Sequence, residues 1–148
     1  MCGFIAYLGN DLEDKKSSFS KMLDQISHRG PDGKEELYFG NNSYFGHVRL
    51  SIIDKENSRQ PMVSECGRYI LVFNGEIYNY LELRQDLIRS GIKFKSCGDT
   101  EVLMKLLIKM GRKSLSLLNG MFSFVFFDKL NDCWLAVRDH FGIKPLYY

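Results

Sequence analysis

Once the initiator methionine is removed, as is usual ahead of a small side chain, Cys2 carries two reactive groups in one residue. Its thiol could attack an electrophilic carbon while its own α-amine, with an ordinary pKa of about 7.7 to 8.0, accepts the thiol proton. The amine would then do what a histidine does in a Cys and His pair. Read alone, a cysteine in an apolar first strand is more simply a small packed side chain. Asn74 and Gly75 add an amide and a neighbouring backbone N–H, both able to face a developing oxyanion, although Asn-Gly also makes hairpin turns. Arg49 interrupts the apolar run Val48 to Ile53, where a ligand carboxylate, an internal salt bridge or a solvated strand face would each account for it. Asp99 stands before a helical stretch, as an N-cap or as a partner for a ligand ammonium group. Thiol, oxyanion donors, cation and anion are together the parts that an amidase for a free amino acid needs.

The elements that would position these residues follow from periodicity. Cys2 to Leu8 reads as a short strand closed by Gly9, Asn10 and Asp11, so the chain start is anchored in a sheet. Phe19, Met22, Leu23 and Ile26 recur at helical spacing over Ser17 to His28, and Gly30 and Pro31 end that helix. His28 to Gly33 is a loop of turn formers. Glu35 to Phe39 and Tyr44 to Ile53 read as paired strands, followed by a polar stretch to Pro61 and a strand over Arg68 to Phe73, with Asn74 and Gly75 at its end. Leu81, Leu83, Leu87 and Ile88 mark a helix ended by Gly91; Leu103, Leu106, Leu107 and Met110 mark another ended by Gly111. Met121 to Asp128 and Cys133 to Val137 form a hairpin apolar enough for strands covered on both faces. This order is neither regular βαβ alternation nor all-β, and predicts an α+β fold with helices stacked on antiparallel sheets.

Composition narrows the classes. A chain of 148 residues, 45% hydrophobic and 26% charged, has the make-up of one folded domain. A formal charge of +2, with no basic run, argues against nucleic acid and anionic lipid as partners. No apolar stretch reaches the ~18 to 20 residues of a membrane span and no secretion signal opens the chain, so a cytoplasmic location is expected. Cys66, Cys97 and Cys133 are scattered from Cys2 and from one another, so neither a disulfide framework nor a metal site is expected and packing is their anticipated role.

Several longer words occur in order: Met1-Cys2-Gly3-Phe4, His28-Arg29-Gly30-Pro31-Asp32-Gly33, His47-Val48-Arg49-Leu50-Ser51-Ile52-Ile53-Asp54, Gln60-Pro61-Met62, Phe73-Asn74-Gly75-Glu76-Ile77-Tyr78-Asn79-Tyr80 and Gly98-Asp99-Thr100-Glu101. Leu118-Asn119-Gly120-Met121-Phe122-Ser123-Phe124 and Arg138-Asp139-His140-Phe141-Gly142-Ile143-Lys144-Pro145-Leu146-Tyr147-Tyr148 follow. With these words the chain resembles, over essentially its whole length, the glutaminase domain of glutamine-hydrolysing asparagine synthetase. That is a class II glutamine amidotransferase of the N-terminal-nucleophile hydrolase superfamily.

The resemblance implies a four-layer αββα sandwich in which residues 1–148 form one glutaminase domain lacking the last strands and the synthetase domain of its relatives. It implies that Cys2 attacks the side-chain amide of L-glutamine through a γ-glutamyl thioester, with Asn74 and Gly75 as oxyanion hole. Arg49 would hold the α-carboxylate and Asp99 the α-ammonium group, with Glu76 and the backbone of Leu50 and Ile52 as neighbouring wall. His28, Arg29 and Asp32 are read as loop-building residues, and Arg138 and Asp139 have no assigned step. No metal or organic cofactor is expected for this half reaction. ATP and Mg²⁺ would belong to an ATP-dependent synthetase domain or subunit, since no Ser-Gly-Gly or other Gly-rich nucleotide loop occurs here. The resemblance also allows a homodimer. Two other readings stand beside it: a non-catalytic glutamine-binding or regulatory fragment, and an ammonia donor to a separate sugar or peptide amidotransferase.

Overall fold

A computed structural model describes residues 2–40, 42–50 and 59–148 of the chain. Among these residues two antiparallel sheets lie face to face, with helices on both outer sides. The first sheet is built from β1 (Gly3–Leu8), β2 (Gly33–Phe39) and β3 (Ser43–Arg49) in the order β1-β3-β2. The second is built from β4 (Met62–Val63), β5 (Tyr69–Ile77), β6 (Gly120–Asp128) and β7 (Cys133–Arg138) in that order. Helix α1 (Leu12–Gln25) covers the first sheet; α2 (Tyr80–Arg89) and α3 (Asp99–Met110) cover the second. The αββα expectation therefore describes the layers that form.

Alternation along each strand decides which side chains meet. Ile5, Tyr7 and Tyr44 turn outward onto Leu12 and Phe19 of α1, with the Phe19 and Tyr44 rings stacked 4.6 Å apart. Leu71, Phe73 and Ile77 of β5 and Phe122, Phe124 and Phe126 of β6 turn outward onto α2 and α3. The alternate residues Phe4, Ala6, Phe45, Ile70, Val72, Val125 and Phe127 fill the space between the sheets, with Trp134 packed against them. The Phe45 and Trp134 rings stack at 5.1 Å across that gap, a contact of roughly 0.5–1.5 kcal/mol beyond its buried area. Two to four residues further along the same faces the gap turns polar: Cys2, His47 and Arg49 come from one sheet, Asn74, Glu76 and Ser123 from the other. One end of the sandwich is thus sealed by aromatic rings and the other is lined with groups that can do chemistry.

Several expectations need correction. Helix α1 starts at Leu12, earlier than Ser17, because Leu12 is itself buried and Glu13 and Asp14 suit the positive helix start. It ends at Gln25, and Ser27–Arg29 tighten into a 3₁₀ turn before Gly30. Strand β5 does not stop at Phe73: Asn74 to Ile77 continue the ladder opposite Ser123 to Gly120, so Asn74 and Gly75 lie inside a strand. Asp99 is the first helical residue of α3 and Gly98 is the cap. Strand β7 is half exposed rather than covered on both faces, being the outer strand of its sheet. Cys66, Cys97 and Cys133 are exposed, so packing does not account for them. The strand expected over Tyr44 to Ile53 ends at Arg49, with Leu50 already beyond the ladder, and residues 51–53 fall outside the described residues.

Candidate active site

The Cys2 thiol sits between the backbone groups of Leu50. The Leu50 N–H donates to Sγ at 3.4 Å, and the S–H donates to the Leu50 carbonyl at 3.6 Å. Register explains the meeting: Gly3 pairs with Val48, so the residue before β1 and the residues just beyond β3 share one end of the sheet. Arg29 adds a third tie, its Nε donating to the Cys2 carbonyl at 3.1 Å. The 3₁₀ turn brings it there, and Gly30 is what lets that turn approach, since a Cβ at Gly30 would stand 2.3 Å from the Arg49 nitrogen. The Asp32 N–H then donates to the Arg49 carbonyl at 3.0 Å and closes the loop onto the end of β3.

From the opposite sheet β5 presents one edge. β4 pairs with Ile70 and Leu71 only and begins at Met62, so the edge of β5 beyond Leu71 has no backbone strand among the described residues. Three N–H groups point outward there in turn, because alternate residues of an antiparallel strand face alternate neighbours. Phe73 N–H donates to Gln60 Oε1 at 2.6 Å and Ile77 N–H donates to Asp99 Oδ2 at 3.0 Å. Gly75 lies between them with its N–H on the same edge, and the described residues supply it with no partner there. The Asn74 side chain turns into the gap between the sheets, on the face of Cys2, and Asn74 is buried. Gly75 must be glycine because a Cβ would stand 2.2 Å from the Met121 carbonyl oxygen.

Charges around this edge are ordered. Asp99 is buried, and burial pushes its carboxyl above the usual carboxylate range; bonds from the Ile77 and Thr100 N–H groups oppose this and the Glu76 charge adds to it. Burial pulls His47 from 6.5 to about 4 against its bond to the Phe73 carbonyl, and the positive charge of Arg49, on the same sheet as His47 and opposite β5, adds to the lowering. A cation on one side and two carboxylates on the other suit a zwitterion that bridges them. The described residues contain no cluster of metal-ligating side chains and no helix long and apolar enough to cross a membrane.

Residues 1–148 match the family of the glutamine amidotransferase domain. The chain belongs to that family. This amidotransferase domain is 41% identical over its full length to "Asparagine synthetase [glutamine-hydrolyzing] 1" of Bacillus subtilis (strain 168), of which it covers 24%. It is 39% identical over 99% of its length to a "Probable asparagine synthetase [glutamine-hydrolyzing]" of Schizosaccharomyces pombe, covering 26% of that protein. The chain thus spans about a quarter of the length of the curated relatives it matches. Its fold is also that of the glutamine phosphoribosylpyrophosphate amidotransferase of B. subtilis, with a TM-score of 0.78 at 24% identity over 98% of this chain and 38% of the other. The domain is therefore a member of an enzyme family with the sandwich fold expected from the sequence words.

Within the amidotransferase domain, Cys2, Arg49, Leu50, Asn74, Gly75, Glu76 and Asp99 gather at one end of the sandwich; Ile52 lies outside the described residues. Sequence reasoning missed three residues. Arg29, read as a loop builder, holds the Cys2 carbonyl. His47 and Gln60 both bind Phe73, the residue before Asn74. A buried-strand histidine two places from Arg49 was the available signal for His47; Gln60 lay in the word Gln60-Pro61-Met62, which carried no chemical role of its own. Asp139, left without a step, gathers N–H groups of Phe122, Phe141, Ile143 and Lys144 and so shapes the turn after β7.

Proposed function

We propose that this chain hydrolyses the side-chain amide of L-glutamine to glutamate and ammonia, with Cys2, freed of Met1, as nucleophile. The thiol proton passes to the Cys2 α-amine while sulfur bonds to the amide carbon, and the carbonyl oxygen becomes an oxyanion between the Asn74 amide and Gly75 N–H. Collapse breaks the C–N bond; the ammonium proton goes to the departing nitrogen and ammonia leaves behind a γ-glutamyl thioester. Water, losing a proton to the amine, adds to the thioester carbon; glutamate departs and the thiol is restored. Leu50 N–H would hold the sulfur as thiolate in both steps. Arg49 would bind the α-carboxylate of glutamine and Asp99 its α-ammonium group, with Glu76, Leu50 and Ile52 as wall.

The observation that carries this reading is the Cys2 thiol, held at 3.4 Å by Leu50 N–H at the sandwich end that also presents Asn74 and Gly75. The names of the relatives support glutamine as the amide and asparagine synthesis as the use of its ammonia; the consumer in this proposal is an ATP-dependent synthetase domain or subunit. No metal or organic cofactor takes part in the proposed hydrolysis, and the cytoplasm is its proposed setting.

The test is glutamate release from glutamine by protein whose mass confirms loss of Met1. Wild type should release it and Cys2→Ala should not, while keeping the same circular dichroism spectrum. Activity retained by Cys2→Ala would overturn the assignment.

A further inference from the structure

Phe73 is the last residue of β5 before the oxyanion pair, and both of its backbone groups are engaged by side chains. Its N–H donates to Gln60 Oε1 at 2.6 Å, and its carbonyl lies 3.2 Å from His47 Nε2. A carbonyl can only accept, so Nε2 carries the hydrogen. These bonds replace the ladder that β4 would have supplied had it continued past Met62. They come from different directions, His47 from β3 across the gap and Gln60 from the segment leading into β4. Both residues are buried, at 1% and 6% exposure, and burial keeps His47 neutral near pH 7 by drawing it to about 4.

The Phe73 carbonyl and the Asn74 nitrogen share one rigid peptide plane. Fixing that plane fixes the direction in which Asn74 sends its side chain, and through the pleat it sets the next peptide, which carries the Gly75 N–H. We propose that His47 and Gln60 are positioning residues for the oxyanion hole: by holding the carbonyl and N–H of Phe73 they set where Asn74 and Gly75 point. This role rests on the hydrolysis proposed above. Donors to an oxyanion act only at about 2.7 to 3.1 Å, and a displacement of ~1 Å can cost about 10²-fold in rate. An unpaired strand edge would otherwise be free to make such a displacement.

The experiment compares wild type, Cys2→Ala, His47→Leu, His47→Gln and Gln60→Leu, all processed at Met1, by steady-state glutamine hydrolysis, with near-UV circular dichroism as a check of folding. His47→Leu and Gln60→Leu should lower kcat by about 10- to 100-fold, with KM for glutamine within about threefold, because Arg49 and Asp99 still bind the amino acid. His47→Gln places an amide nitrogen near the position of Nε2 and should recover most of the lost kcat. An active wild type with Leu variants that keep kcat, or that lose KM and kcat alike, overturns the positioning role alone. So does a failure of both Leu variants to fold, which would make the two residues merely structural. A wild type that releases no glutamate overturns the proposed reaction, and this role with it.

Discussion

Leu50 grips Cys2 from both sides of one peptide unit's neighbourhood, its N–H 3.4 Å and its carbonyl oxygen 3.6 Å from the same sulfur. Ionising the thiol would break only the second of these bonds. The proposed nucleophile is therefore held by main chain, which substitution at position 50 does not remove, and the side chain that steadies it is Arg29, through the Cys2 carbonyl. Arg29→Met should cost about ten- to a hundredfold in kcat/KM, the range of a lost charged hydrogen bond. Steady-state glutamine hydrolysis reads it directly; an unchanged value would mean that Leu50 alone suffices.

In the proposed reaction, Asn74→Ala removes one donor from the oxyanion while leaving the strand path alone. The expected result is a kcat about 10² to 10³ lower, with KM nearly unchanged, since the amide nitrogen gains its importance only as charge develops. A KM effect larger than the kcat effect would instead place Asn74 among ground-state contacts.

Gly75→Ala should behave differently. Its Cβ would meet the Met121 carbonyl oxygen at 2.2 Å and Phe122 Cα at 2.6 Å, both backbone atoms that cannot swing aside. A loss of at least about 2 kcal/mol of stability is expected, visible as a lower denaturation midpoint in urea before any assay is run.

These contrasts define what could be read beforehand. Cys2, Arg49 and Asp99 stand out because their types conflict with, or punctuate, an apolar period. The continuation of β5 through Gly75 is hidden, because Asn-Gly reads as punctuation and only the facing Phe122 and Met121 show that pairing persists. Strand β4 has two residues, too few for any period to register. His47 and Gln60 reach Phe73 from 26 and 13 positions away, and no local pattern encodes contacts that only sheet stacking creates. Most of the architecture followed from alternation and helical spacing; the supports of the site did not.

Asp99 gives a pH dependence. Burial raises its carboxyl above the usual range, so protonation begins at higher pH than for an exposed aspartate. A bound ammonium group needs the ionised form and lowers that value again, so glutamine affinity should fall as pH drops through the raised value. Calorimetric titration of glutamine into Cys2→Ala, which on the proposed mechanism does not turn it over, isolates binding. In the doubly substituted protein carrying Asp99→Asn as well, affinity should be about ten- to a hundredfold weaker and nearly flat with pH.

His47 gives a second, in stability. The unfolded chain binds a proton at 6.5, whereas the fold accepts it only near 4, so stability is full above the first value and is lost as pH falls toward the second. At roughly 1.4 kcal/mol per pH unit this amounts to something of order 3 kcal/mol. Asp99 acts in the opposite sense, so the comparison to make is with His47→Gln, whose urea midpoint should decline less steeply over the same window.

The start of α3 is anchored twice. Asp99 is tied to β5 through Ile77 N–H, and two residues on Glu101 receives the Lys95 and Ser96 N–H groups and the Ser96 hydroxyl. In the proposed grip on the α-ammonium group of glutamine, a carboxylate mounted on so stiff a post would work as a calliper jaw. Homologues of glutamine longer or shorter by one methylene would reach it with the wrong span, and selectivity among them would come from a dimension settled during folding instead of from a movement made at each encounter.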